Sequence, residues 1–191
     1  MAATPLSGAT KRFDTDFYIE GYATTFDDPY VLYEYDGIKY WEQIARGALE
    51  GADTSDVIFQ YDHQGRVLAR NGNGTLDIIS DEKGLLVFGD LSRSDAARAI
   101  HNDIKEGLIT KMSWCFTIAK ESYDNARRLR TIEKIKKVYD VSAVSIPANN
   151  GTEISARSFV QGRIEQERRE ALARKIQIQR QLIKIELEGR K

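Results

Sequence analysis

The stretch LITKMSWCFTIAK at residues 108–120 alternates apolar and polar side chains with a period of two residues. A period of two is typical of a β-strand that buries one face and leaves the other to polar groups. One face carries Met112, Trp114, Phe116 and Ile118, and the other carries Ser113, Cys115 and Thr117. The stretch therefore predicts a strand that packs its apolar row on the core and holds Ser113 on the opposite face.

The sequence on either side predicts further strands and one helix. Five earlier stretches are rich in β-branched and aromatic residues, at residues 17–26, 37–44, 56–62, 74–80 and 84–91. Turn-forming NGNG (71–74) and DEKG (81–84) separate the last three. Ser94 can cap a three-turn helix over 95–106 that Gly107 ends, and a strand within IKKVYDVSAVSIPAN (135–149) should end at Pro147. These elements predict an α+β protein that is mainly β.

Length and charge divide the chain into a body and a tail. The 191 residues, 41% of them hydrophobic, suffice for one core and one appended element. We expect a flexible N-terminus over residues 1–14, a folded domain over 15–156 and a basic tail over 157–191. The tail holds ten Lys and Arg against five Asp and Glu, a balance of +5 that leaves −6 for the rest of the chain.

The tail sequence predicts a long amphipathic helix. It lacks proline, and apolar residues recur every seven positions, at Ile164, Ala171, Ile178 and Ile185. Its last part, IQIQRQLIKIELE, also alternates apolar with polar residues. A strand that forms when the tail docks therefore stays open as an alternative.

Composition argues against several classes of protein. The net charge of −1 gives no overall basic field for nucleic acid or anionic membrane. One cysteine cannot form an intrachain disulfide, and with only two histidines it cannot build a closed Cys/His zinc site. The sequence contains neither a signal-peptide-like apolar run nor a stretch of about 18 apolar residues that could span a bilayer. We expect a soluble, intracellular protein in a reducing compartment.

Three residues form a candidate set for nucleophilic catalysis. His63 follows the strand predicted at 56–62, Ser113 lies within a strand, and Asp140 sits in the apolar run VYDVSAVSI, where a carboxylate needs a partner. Such catalysis requires a hydroxyl, a base that takes its proton and a third group that orients the base. Each residue alone is also typical of an ordinary structural position. Spacing alone does not show that the three meet.

Several segments in order resemble a known family. They are GYATTFDDPY (21–30) with ARGALEG (45–51), VIFQYDH (57–63), GTLDIISDEKGLLVFGDLS (74–92), AARAIHNDIKEGLITKMSWCF (96–116) and YDVSAVSIPANNGT (139–152). Together they resemble the prohead proteases of tailed bacteriophages, capsid maturation peptidases related to the herpesvirus assemblins. The resemblance implies an assemblin-like β-barrel surrounded by helices, with the basic tail attached.

Carried over by position, the resemblance implies Ser113 as nucleophile, His63 as general base and then general acid, and Asp140 as the third member. Asp140 stands where the family usually has glutamate, and Cys115 stands where it usually has glycine. Cys115 as nucleophile, His101 as base and Glu133 as the acid therefore remain alternatives. Backbone N–H groups near the nucleophile would supply the oxyanion donors, and no metal or cofactor is implied.

The resemblance also implies a function and partners. It implies a serine endopeptidase that cleaves the scaffolding segment of the major capsid protein, and itself, inside the assembling prohead in the host cytoplasm. The enzyme could form an oligomer there. The basic tail could dock on acidic scaffold helices, whereas its interleaved acids disfavour DNA, and no membrane partner is expected. A catalytically silent assembly protein is the main alternative; an unrelated esterase would carry Gly-x-Ser-x-Gly, which is missing.

Overall fold

The structure is a computed structural model that describes residues 12–145, 169 and 172–179. The chain divides into two units, Met1–Glu153 and Ile154–Lys191. Most of the N-terminus that we expect to be flexible lies outside the described residues. The first unit holds all the predicted site residues.

Residues 12–145 form nine strands, one short 3-10 turn and one α-helix. In chain order they are β1 (Tyr18–Thr25), β2 (Tyr30–Tyr35), β3 (Ile38–Ile44), β4 (Ile58–Tyr61), β5 (Gln64–Arg70), the 3-10 turn (Asn71–Asn73), β6 (Leu76–Ser80), β7 (Gly84–Asp90), α1 (Asp95–Lys105), β8 (Lys111–Asp124) and β9 (Leu129–Val144). The prediction of an α+β, mainly β fold is confirmed.

The strands form two sheets. The smaller one is antiparallel with the order β1-β7-β6, and all seven residues of its central strand β7 are buried. Strand β1 passes so close that a Cβ on Gly84 would lie 2.0 Å from the carbonyl oxygen of Thr24. Glycine is therefore required at the start of β7 for this pairing.

The larger sheet is organised around the long strand β9. Its order is β2-β3-β9-β4-β5, and β8 also pairs with β9. Strand β3 pairs in parallel with the start of β9 and β4 with its end, whereas β8 runs antiparallel to it over its whole length. Three separate segments of the chain thus meet at the C-terminal end of β9.

The predicted closed barrel is wrong for the part of the chain that the structure describes. A barrel requires the first and last strands of a sheet to pair. Strands β1 and β6 instead end the smaller sheet, and β2 and β5 end the path through the larger one. The strands at the ends of both sheets therefore have open edges, and α1 is the one α-helix between residues 12 and 145.

One core joins both sheets and α1. Fully buried residues include Ile44 on β3, Phe59 on β4, Val87 on β7 and Val141 on β9. Trp114 is 4% exposed and belongs to this cluster, and the other members of its row pack against the cluster. The prediction that this row of β8 faces the core is confirmed.

The helix follows its sequence signals closely. The Ser94 hydroxyl oxygen accepts a hydrogen bond from the Ala97 N–H at 3.1 Å, and Asp95 lies in the first turn, where a negative charge is favoured. Gly107 adopts a φ of +75° just after the helix. The observed end at Lys105 lies one residue before the predicted one.

The tail prediction is not confirmed over its length. Residue 169 and residues 172–179 are helical, and their side chains are exposed. The other residues of the tail lie outside the described part of the chain. Exposed Leu172, Ile176 and Ile178 carry the apolar character of the helical segment.

Candidate active site

His63 lies at the tip of the hairpin between β4 and β5. Tyr61 pairs with Gln64, and the two residues between them, Asp62 and His63, have φ angles of 48° and 57°. Two consecutive positive φ angles are typical of a type I′ turn, which matches the twist of a two-residue hairpin. The Asp62 carboxylate accepts a hydrogen bond from the Ser145 N–H at 2.9 Å, which ties this turn to the end of β9.

The turn directs the His63 ring at Asp140 on β9. The Nδ1–H of His63 donates to Oδ1 of Asp140 at 2.7 Å, and the two side chains are only 14% and 9% exposed. A carboxylate at Nδ1 fixes the neutral imidazole in the tautomer whose Nε2 can accept a proton. The pair therefore has the arrangement of a general base and its orienting acid.

Ser113 lies next to this pair on the adjacent strand. In the antiparallel β8–β9 ladder Ser113 is opposite Ser142, and Cys115 is opposite Asp140. Opposed residues of a ladder point to the same face, with Cβ atoms about 4.5–5.5 Å apart and diagonal neighbours about 7–8 Å apart. Ser113, itself buried, thus shares one sheet face with Asp140, one ladder position away. The structure brings all three predicted residues to the same end of β9.

Ser142 joins this cluster and was not singled out from the sequence. It is fully buried, and its hydroxyl donates to Oδ1 of Asp140 at 2.7 Å, the same oxygen that accepts from His63. The sequence does contain a signal for Ser142, because the alternation of a strand in Asp-Val-Ser places Ser142 on the same face as Asp140. The carboxylate is therefore held by two donors, one from a turn and one from its own strand.

The family comparison bears on this arrangement. The caudovirus prohead serine protease family matches residues 7–167, a range that includes His63, Ser113 and Asp140. The chain belongs to this family. The resemblance inferred from the sequence is thereby confirmed, and with it a protease role in phage capsid maturation. Comparison with curated proteins and with solved structures gives no significant match.

For a member of a serine protease family, Cys115 is a poor alternative nucleophile. Burial raises the pKa of its thiol, and the negative charge of Asp140 raises it further. A thiol attacks only as the thiolate, so both influences act against its reactivity near neutral pH. The environment thus favours Ser113 over Cys115.

The other two alternatives, His101 and Glu133, make their contacts with residues outside the His63–Asp140 pair. His101 on α1 packs edge-on against Phe17 with ring centroids 5.3 Å apart, and burial lowers its pKa. Glu133 forms an ion pair with Lys120, and hydrogen bonds from Lys120 and Ser122 lower its pKa. Both residues are engaged in local structure, which favours His63 as the base and Asp140 as the acid.

Two further findings concern metal-binding clusters and membrane-spanning helices in the described residues. Within residues 12–145, 169 and 172–179, no group of three or more His, Cys, Asp or Glu side chains is placed to hold a metal ion. No helix among these residues is long and apolar enough to cross a membrane.

Proposed function

We propose that the chain is a serine endopeptidase in which Ser113 is the nucleophile, His63 the base and Asp140 the orienting acid. The observation that carries this proposal is the 2.7 Å hydrogen bond between His63 Nδ1 and Asp140, at the end of β9 where Ser113 occupies the neighbouring strand. The hydrogen bond joins two segments that are 77 residues apart in the sequence, and the pairing of β8 with β9 adds the segment of Ser113. Membership of a serine protease family supports the same roles.

The proposed cycle uses these groups in two steps. Ser113 Oγ attacks the peptide carbonyl carbon while His63 Nε2 takes the hydroxyl proton, and the charge of Asp140 stabilises the imidazolium. The imidazolium then gives its proton to the leaving amine as the C–N bond breaks, leaving an acyl-enzyme. A water molecule attacks the ester carbonyl, His63 takes the water proton, and that proton returns to Ser113 as the acid product leaves.

Ser142 acts in this scheme as a positioning residue. Its hydroxyl holds Oδ1 of Asp140 from within the strand, while His63 approaches the same oxygen from the turn. A hydrogen bond to a charged group contributes about 1.5–3 kcal/mol. The bond therefore restrains rotation of the carboxylate away from the imidazole.

The substrate that we propose is the scaffolding segment of the major capsid protein, together with parts of the protease itself. The family description supports a capsid protein as substrate. The tail, with its charge of +5, would dock on acidic scaffold segments and so carry the enzyme into the assembling prohead within the host cell. Truncation after Ala156 should then leave catalysis at Ser113 intact while incorporation into shells, measured by immunoblot of purified proheads, falls. Normal incorporation of the truncated protein would contradict this role of the tail.

Co-expression with the capsid protein precursor tests the function. The parent protease should shorten the precursor, and Ser113→Ala should leave it uncut, because removal of a nucleophile costs on the order of 10⁴-fold or more in rate. Cys115→Ala is the matched control, from the same face of the same strand, and should cut normally. Processing that survives in Ser113→Ala would refute the serine assignment. An intact precursor with the folded parent protein would favour the silent assembly protein.

A further inference from the structure

A surface cavity of about 240 Å³ lies at the opposite end of β9 from the candidate active site. It is lined by Pro29, Trp41, Arg127 and Leu129. Leu129 and Asp140 are eleven residues apart on one strand, which corresponds to roughly 35 Å at about 3.3 Å per residue. The cavity is therefore separate from His63 and Ser113.

The backbone holds the walls of this cavity in place. Trp41 on β3 pairs in parallel register with Leu129 on β9, and the Trp41 N–H donates to the Arg128 carbonyl oxygen at 2.9 Å. The Asp124 carboxylate accepts from the Arg127 N–H at 3.2 Å and so closes the turn between β8 and β9. Two strands and one turn thus form the site before any ligand binds.

The turn presents the exposed Arg127 guanidinium outside any ion pair of the described residues, while the Asp124 carboxylate accepts from backbone N–H groups of the turn. Arg127 is exposed and makes no ion pair with any residue that the structure describes. Arg128 follows in the chain, and its buried Nε has no hydrogen-bond partner among the residues that the structure describes. By contrast, the next arginine, Arg130, is held by Glu42 and Glu121. The lining of the cavity therefore combines three apolar residues with one arginine, Arg127, that forms no ion pair with a described residue.

The size and charge of the cavity together indicate which kind of ligand it can bind. A cavity of this volume is smaller than the roughly 300–1,000 Å³ of pockets that bind drug-sized ligands, so it suits a single side chain better than a cofactor. We propose that it is a docking site for an acidic peptide segment of a partner protein. The segment places one large apolar side chain against Trp41 and Leu129 and a carboxylate on Arg127. Tryptophan and arginine are the residue types that most often dominate binding at such anchors.

The charge of the chain itself argues that the occupant comes from another molecule. The sequence of the tail has a net charge of +5, whereas a segment that pairs with Arg127 needs a negative charge. The proposal does not depend on the catalytic roles of Ser113 and His63. A protein with no protease activity would still be expected to bind such a peptide.

The test uses a fluorescein-labelled synthetic peptide of Glu and Ser with one central Leu, and measures anisotropy at low salt. We expect saturable binding to the full chain, about tenfold weaker binding to Arg127→Glu, and a similar loss when the Leu of the peptide is replaced by Ser. Arg66→Glu is the matched control, since Arg66 is also exposed and lies on β5, the hairpin partner of β4. It should bind within about twofold of the parent.

Tryptophan fluorescence provides a second measurement of peptide binding. The chain has two tryptophans, and only Trp41 lines the cavity, whereas Trp114 is buried in the core. Binding of an unlabelled peptide should change the emission of the parent, and Trp41→Phe should abolish that change. Three results would overturn the proposal: no saturable binding, equal binding by Arg127→Glu and the parent, or binding indifferent to the Leu. These binding measurements need no catalysis. A failure of the proposed protease function would therefore leave the proposed docking site unaffected.

Discussion

Replacing Asp140 with Asn keeps the size of the side chain but removes a negative charge that lies 2.7 Å from Nδ1 of His63. Opposite unit charges about 4 Å apart interact by about 4 kcal/mol at an effective dielectric constant near 20. Since each 1.36 kcal/mol is a factor of ten in rate, losing the stabilisation of the imidazolium costs about 10³-fold. An Asn that turns its amide N–H₂ toward Nδ1 also favours the wrong tautomer, which pushes the loss toward about 10⁴-fold.

The rate at which a fluorophosphonate acylates the protein measures this effect without a known peptide substrate. We expect the second-order labelling constant, followed by intact mass near pH 7.5, to fall by about 10³–10⁴-fold in Asp140→Asn and by less in Asp140→Glu, which keeps the charge. Glu133→Gln is the matched control, a neutralised acid on the same strand that pairs with Lys120. Circular dichroism and thermal unfolding should show that all three variants are folded.

Two results would contradict this role of Asp140. The first is Asp140→Asn labelling within about threefold of the parent, which would make Asp140 a structural strand residue. The second is Glu133→Gln losing as much activity as Asp140→Asn, which would move the orienting role along β9 to Glu133.

Further substitutions test individual side-chain contacts in the structure. Ser142→Ala should lower the labelling constant about tenfold by releasing the carboxylate of Asp140, and Ser142→Thr, which keeps the hydroxyl, should restore most of it; equal rates in all three proteins would contradict a positioning role. Cys115→Ala should label within about twofold of the parent, and iodoacetamide at pH 8 should alkylate native Cys115 more slowly than the unfolded chain, because burial raises its pKa. Arg130→Met leaves buried Glu42 without its counter-charge and should lower the free energy of unfolding by about 3–5 kcal/mol. Urea titrations should show a smaller loss at pH 5 than at pH 8. Burial raises the Glu42 pKa in the folded state and Arg130 lowers it, so without Arg130 this pKa rises further and the stability of the variant declines more than that of the parent as pH rises.

The elements with strong local signals could be predicted from the sequence. The alternation around Trp114 gave the buried face of β8, and Ser94 with Gly107 gave both ends of α1 within one residue. The same alternation placed Ser113 opposite the core. These features depend on side-chain period and capping, which operate within a few residues.

The parts that were missed depend on contacts between distant residues. The start of β9, residues 129–134, lies outside the strand predicted within 135–149, because this stretch is rich in charged residues. One of them, Arg130, is buried beside Glu42, with which it pairs across 88 positions of sequence. Strands β2 and β5 were likewise not predicted, although they form the ends of the path through the larger sheet. Barrel closure depends on whether such end strands pair, which no local pattern records.

The candidate site likewise combines features with local sequence signals and features that depend on contacts between distant residues. Strand ends and apolar surroundings singled out His63 and Asp140, whereas their hydrogen bond depends on the type I′ turn at Asp62 and on the parallel pairing of β4 with β9. Ser142 could have been found by extending the alternation from Asp140 by two residues. Its position opposite Ser113 depends on the β8–β9 register, which the sequence does not specify.

Peptide mapping of fluorophosphonate-treated protein tests whether Ser113 is a nucleophile activated by His63. We expect one adduct per chain, located on the peptide that contains Ser113, and no adduct in Ser113→Ala or in protein denatured before treatment. His63→Ala should retain the fold and lose nearly all labelling, by on the order of 10³-fold or more. An adduct on a different residue, or full labelling of Ser113 in His63→Ala, would contradict these roles of Ser113 and His63.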